Sequence, residues 1–309
     1  MNQTLFLLIG VLGLAGLGSL MSSNDDAHGP DDADDLFGDR TVIQGSDGED
    51  TITGTAEDEA ILSDGEGDEG TGGADLVDGG GGNDQIWTGY GDDTVIAQPG
   101  DDEVYLGRDD DLYGAYNPGV DEGSDTIVGG SGSDVIITNE GEHRVFGDDD
   151  PDHIDYDDYE PRGNDEIYDN GGTVYAYGGR GDDLIWSPDD SNPDAPDTLL
   201  GGDGNDTIYA GGYDSIDGGS GSDLYVLRGD ASGPVDIQYG RQDSIEIALP
   251  DDYAGDREVE LVQDGDNVRL VLDGRDVALL RDVETRNVRS VNLISQGNAP
   301  QPPWLSGGN

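Results

Sequence analysis

Residues 201–226 read GGDGNDTIYAGGYDSIDGGSGSDLYV, and this stretch decides the fold. Gly201–Tyr209 and Gly218–Val226 each satisfy GGxGxDxUx, where U is apolar, and AGGYDSID between them is a shortened version. The first six residues of such a unit turn the chain, with glycine wherever φ is positive or a carbonyl must be turned outward. The last three form a short strand whose U side chain points inward, because side chains alternate across a strand. Two units therefore close one coil of eighteen residues, and stacked coils lie about 4.8 Å apart.

Working outward, GGGGNDQIW at Gly79, GGSGSDVII at Gly129 and GGRGDDLIW at Gly178 match in full. The phase between full matches says more than the matches. Asp75, Asp84, Asp93, Asp102 and Asp111 follow at steps of nine, and after an insertion come Asp125, Asp134, His143 and Asp152. Asp165, Val174 and Asp183 resume the step, followed by Asp197, Asp206, Asp214 and Asp223, with Asp50, Glu59 and Asp68 in an earlier register. Two residues after nearly every frame position stands an apolar one, among them Ile52, Val77, Ile127, Ile154, Ile185 and Tyr225; only Gly70 breaks the series. At Glu59, His143 and Val174 no aspartate marks the frame, yet Ile61, Val145 and Ala176 keep the apolar slot. An acidic disordered tract has no reason to hold that phase.

These nonapeptides resemble the RTX (repeats-in-toxin, hemolysin-type calcium-binding repeat) family over residues 44–226. The resemblance implies an all-β chain built on a right-handed parallel β-roll, a β-solenoid. It also implies calcium ions between turns eighteen residues apart, held by frame aspartates and loop carbonyls, about four to eight ions in all. The implied ligands are Asp50, Asp75, Asp84, Asp93, Asp102, Asp111, Asp125, Asp134, Asp152, Asp165, Asp183, Asp197, Asp206, Asp214 and Asp223. The spacing pairs Asp75 with Asp93, Asp84 with Asp102, Asp165 with Asp183 and Asp206 with Asp223, then Asp93 with Asp111, Asp134 with Asp152 and Asp197 with Asp214. His143 and Val174 offer no carboxylate, so vacancies are expected beside both. Hard oxygen donors suit calcium, which takes 6 to 8 of them at loose geometry. Carboxylates stacked about 5 Å apart repel by roughly 3 kcal/mol per pair at an effective dielectric of 20, so folding is expected to require the ion.

Charge locates the domains. The chain carries 71 acidic residues against 13 arginines, no lysine and a net charge of −58, which excludes a nucleic-acid binder. Residues 227–309 hold 15 of the acids and 8 of the arginines, so the excess lies in the repeats. There is no cysteine, hence no disulfide or thiolate site. Thr4–Met21 is an 18-residue apolar run, about 27 Å if helical. An N-terminal apolar helix over 1–21, either a membrane anchor or a signal peptide, is expected, followed by an acidic linker over 22–43. Beyond the roll, residues 227–294 read as a small antiparallel cap with hairpin turns at Asp264-Gly265 and Asp273-Gly274, and 295–309 as a disordered tail. DIQYGRQDSIEI, residues 236–247, resembles the segment that closes the roll in RTX proteins, and the resemblance implies a type I secretion signal within Ser290–Asn309.

No HExxH, GxSxG or Walker lysine is present, so no catalytic constellation is expected. Three readings stay open: a calcium-folded secreted or cell-surface module, a carbohydrate-active enzyme on a β-solenoid, and an acidic disordered calcium buffer. If every insertion stays within one half-coil, the outward slots gather Trp87, Tyr105, Phe146, Tyr168, Trp186 and Tyr209 on one face. Such a strip either reinforces neighbouring strands or docks a glycan, a protein partner or the C-terminal cap.

Overall fold

The computed structural model describes Phe37 and residues 40–64, 72–114, 123–148, 163–188 and 195–302. The expected helix over 1–21 and most of the linker lie outside the described residues. Among the described residues, no helix is long and apolar enough to cross a membrane.

The chain is a parallel β-roll. Successive strands alternate between two sheets, so each strand pairs with the one a full coil away. The first sheet runs Thr41–Gln44, Glu59–Leu62, Gln85–Tyr90, Glu103–Arg108, Thr126–Ser131, Glu142–Phe146, Thr173–Arg180, Thr198–Asp203, Ser215–Ser220 and Val235–Gln238. The second runs Thr51–Thr53, Leu76–Asp78, Thr94–Ile96, Leu112–Tyr113, Val135–Thr138, Glu166–Asp169, Leu184–Ser187, Thr207–Ala210, Leu224–Arg228 and Ser244–Leu249. The inward slots of both meet in one core: Ile86, Val95, Val104, Ile127, Ile136, Val145, Leu199 and Ile208 are wholly buried. Alternation has this consequence because each strand exposes one face to the opposing sheet and one to the outside.

Register shows how insertions are absorbed. Gln85 pairs Glu103, a step of 18, and Thr207 pairs Leu224, a step of 17. Leu112 pairs Val135 at a step of 23, and Val135 pairs Glu166 at a step of 31. The strands keep phase whatever the loop length, because every inward slot must stay in the core.

That rule corrects one expectation. The strand after Glu142–Phe146 is Glu166–Asp169 in the opposite sheet, so the frame passes from His143 to Asp165 in a single half-coil. The nine-residue spacing gives Asp152, which lies outside the described residues, a half-coil of its own. Removing that half-coil reverses the face of everything downstream. Trp87, Tyr105 and Phe146 lie on the first sheet, whereas Tyr168, Trp186 and Tyr209 lie on the second, so there is no single aromatic strip.

The cap is also not a separate antiparallel unit. Val235–Gln238 and Ser244–Leu249 extend the two parallel sheets, and Arg275–Arg281 and Val291–Ser295 add to them in parallel. Asn267–Leu272 pairs antiparallel with both Val259–Asp264 and Arg275–Arg281, across the expected turns, where Gly265, Asp273 and Gly274 have φ of 63°, 49° and 81°. Val268, Leu270 and Leu280 close the end of the core, as an otherwise open solenoid requires.

Candidate calcium ladders

Each turn brings a frame residue to the edge between the sheets, where it stacks on its counterpart one coil away. On one edge the backbone N–H of each frame aspartate donates to Oδ1 of the next. Asp50 donates to Asp75 at 2.8 Å, Asp75 to Asp93 at 2.8 Å, Asp93 to Asp111 at 2.8 Å and Asp111 to Asp134 at 2.9 Å. Asp134 then donates to Asp165 and Asp165 to Asp183, both at 2.9 Å. Asp183 donates to Asp206 at 2.9 Å and Asp206 to Asp223 at 3.0 Å. The opposite edge runs from Glu59 through Asp84 and Asp102 to Asp125, at 2.7 to 2.9 Å, and there the Asp125 amide meets Nδ1 of His143 at 3.2 Å.

Only one oxygen of each carboxylate is used this way. Oδ2 of Asp75, Asp84, Asp111, Asp134, Asp165, Asp183, Asp206 and Asp223 is buried with no hydrogen-bond partner. A buried anionic oxygen left alone is costly, and desolvation records the cost. Burial pushes Asp84 and Asp183 up to about 6 and Asp93, Asp134 and Asp206 up to about 7. It pushes Asp111 and Asp165 up to about 9, where neighbouring rungs add to the repulsion. At neutral pH these oxygens need a proton or a cation.

The first glycine of the motif leaves room for one. A Cβ on Gly178 would lie 2.4 Å from Asp183 Oδ2 and 2.7 Å from the Gly201 carbonyl. On Gly201 it would lie 2.3 Å from Asp206 Oδ2 and 2.7 Å from the Gly218 carbonyl, and Gly129 and Gly147 repeat this toward Asp134 and Asp165. Carboxylate and carbonyl oxygens thus face one small space that any side chain would fill. Among the described residues no three acidic or imidazole side chains converge on a point, so backbone carbonyls must complete a cation's shell. All-oxygen donors of this kind fit calcium, which would be held by the frame Oδ2 atoms and these carbonyls and would cancel their charge.

The family of the RTX calcium-binding nonapeptide repeat (4 copies) matches residues 37–68, 69–104, 78–113, 120–154, 162–187 and 194–225, together more than half of the chain. The chain belongs to the RTX repeat family. No curated protein matches the sequence. Among solved structures, the extracellular lipase LipA from Serratia marcescens is similar at 15% identity and a TM-score of 0.20, over 87% of this chain. The chain spans 40% of the length of that lipase.

As RTX repeats bind calcium, so do these, and the geometry sorts the expected ligands. The pairs Asp75–Asp93, Asp84–Asp102, Asp165–Asp183, Asp206–Asp223 and Asp93–Asp111 are stacked as spacing implied. Asp134 pairs Asp165 instead of Asp152, for the register reason given above. In four aspartates Oδ2 already has a partner. Asp50 Oδ2 accepts from its own loop at Ser46, Asp125 Oδ2 from the Tyr113 hydroxyl, Asp197 Oδ2 from Ser187 and Asp214 Oδ2 from the Gly211 amide.

Spacing missed three features. Asp243, a step of twenty beyond Asp223, takes the last rung and accepts from Tyr225 Oη at 3.1 Å and the Gly240 amide at 2.6 Å. Its signal was Asp243-Ser244-Ile245, an aspartate two residues before an inward apolar slot, out of nine-residue phase. Beside His143 and Val174, where the frame lacks carboxylates, side chains bond along the edge instead. Thr138 Oγ1 lies 3.0 Å from Asp169 Oδ1, and Ser187 Oγ lies 3.2 Å from Asp169 Oδ2. Lastly, Asp64 and Asp148 are buried carboxylates outside the frame.

Proposed function

We propose that this chain is a secreted or cell-surface module, not an enzyme, that stays largely unfolded where calcium is scarce and winds into its roll on meeting calcium outside the cell. The observation that carries this reading is the pair of ladders whose buried Oδ2 atoms lack partners. A fold that places unneutralised carboxylates in its interior is stable only when something supplies the missing charge. Calcium does so at the concentration of extracellular fluids, where such modules have a Kd of about 0.1 to 1 mM, and binding only the folded state stabilises it by mass action. Magnesium substitutes poorly, since it demands tight octahedral geometry.

The surviving aromatic patch on the first sheet is the contact surface this reading assigns to a glycan or protein partner. Trp87 and Tyr105 stack at 5.8 Å with planes 4° apart, and Phe37 packs edge-on against Trp87. On the second sheet the corresponding rings are already covered by this chain: Trp186 Nε1 donates to the Pro300 carbonyl at 3.0 Å. The test is far-ultraviolet circular dichroism and hydrodynamic radius with chelator, magnesium and calcium. Cooperative compaction with calcium alone supports the proposal, and a signal indifferent to chelator refutes it.

A further inference from the structure

On the edge where the chain passes from the first sheet to the second, the second loop position is glycine in most turns: Gly89, Gly107, Gly130, Gly179, Gly202 and Gly219, all with φ between 83° and 120°. In two turns it is aspartate. Asp64 precedes the frame residue Asp75, and Asp148 precedes Asp165. Both carboxylates are buried, at 6% and 2% exposure, and both reach toward the next coil in the same way. Asp64 Oδ2 accepts from the Tyr90 amide at 2.8 Å, and Asp148 Oδ2 from the Arg180 amide at 2.6 Å.

At the first of these, two carboxylate oxygens of one loop are buried without a partner, Oδ1 of Asp64 and Oδ2 of Asp75. The loop again contains a cradle that glycine leaves open: a Cβ on Gly72 would lie 2.1 Å from the Tyr90 carbonyl and 2.7 Å from Asp64 Oδ1. The two acids repel each other in this arrangement, as do Asp148 and Asp165. A second buried anion beside a frame anion is destabilising on its own and becomes favourable when a cation lies between them.

We propose that Asp64 and Asp148 are additional side-chain ligands of the cations held at Asp75 and Asp165, which makes these two the tightest calcium sites of the roll. Affinity for calcium rises with the number of ligand charges at a site, so these sites fill first and seed the stacking of the coils on either side. The inference rests on the calcium-dependent folding proposed above.

The experiment is calorimetric titration of the full chain with calcium, in wild type, D64N, D148N, D64E and D266N, each checked for folding at saturating calcium by circular dichroism. Asparagine keeps the shape and the acceptor for the Tyr90 or Arg180 amide while removing the charge, and Asp266 is an exposed acid of the cap. D64N and D148N are expected each to weaken the tightest phase about tenfold, with D266N unchanged and D64E closer to wild type than D64N. If D64N and D148N titrate as wild type does, or if D64E is weakened as much as D64N, the two carboxylates are structural and the proposal fails. A wild-type chain that takes up no calcium refutes the parent reading instead, and this one with it.

Discussion

Replacing Asp206 by Asn should change sign with calcium. Asp206 Oδ1 accepts from the Asp183 amide at 2.9 Å, a bond that the Asn carbonyl can keep. Asp206 Oδ2 is the buried oxygen with no partner, and there Asn supplies a neutral amide. Without calcium, burial raises Asp206 from 3.8 to about 7, with Asp183 and Asp223 adding repulsion. The charged form therefore costs the calcium-free fold about 2 kcal/mol above that range, half of what the shift converts to, allowing for solvent screening at the loop. D206N removes this cost and should stabilise the calcium-free fold by about that amount. In saturating calcium the same substitution deletes a ligand. A site filled at about 100 times its Kd contributes roughly 2.7 kcal/mol, which outweighs the roughly 2 kcal/mol gained, so D206N should then be less stable than wild type by about 0.7 kcal/mol. The assay is urea unfolding followed by tryptophan fluorescence near pH 8, with chelator plus trimethylamine N-oxide to populate the fold, and again with millimolar calcium. A shift of the same sign in both conditions would refute the idea that Oδ2 faces a cation.

Acid should mimic calcium. The raised ladder groups bind protons in the folded state between about pH 4 and 9 and release them when unfolded, so calcium-free stability is greatest at low pH and falls as pH rises through about 6, 7 and 9; β structure appearing in chelator at about pH 5 and fading toward pH 9 is the expected outcome. G201A should lower the number of bound calcium ions measured by equilibrium dialysis, because its methyl displaces Asp206 Oδ2 from the cradle, whereas G202A should destabilise the roll itself, since Gly202 has φ of 120° and its Cβ would meet the Gly179 carbonyl at 2.0 Å. W186T should loosen residues 296–302 from the second sheet, seen as faster proteolysis there, with the calcium midpoint moved less than twofold because the ring packs with Tyr168 and Tyr209 in a cluster apart from the core between the sheets.

The repeat phase determined the parallel roll, the inward slots and most ladder rungs, because local spacing alone sets which side of a strand a residue faces. Ile61, Val145 and Ala176 are buried as their phase required even where the frame aspartate is lost. Turn chemistry likewise made Asp264-Gly265 and Asp273-Gly274 legible before any fold was known. Loop length had no such rule. A step of 31 between Val135 and Glu166 is one coil with a long loop, and only the requirement that Ile136 and Ile167 stack in the same sheet excludes an extra half-coil at Asp152. That single ambiguity moved Tyr168, Trp186 and Tyr209 to the other face. Which carboxylates keep a bare oxygen was equally invisible, because it depends on contacts between residues far apart in the chain: Tyr113 reaches Asp125 and Ser187 reaches Asp197 only once the coils are stacked. The nonapeptide specifies where each aspartate stands, and the tertiary structure decides whether a hydroxyl, an amide or a cation meets it.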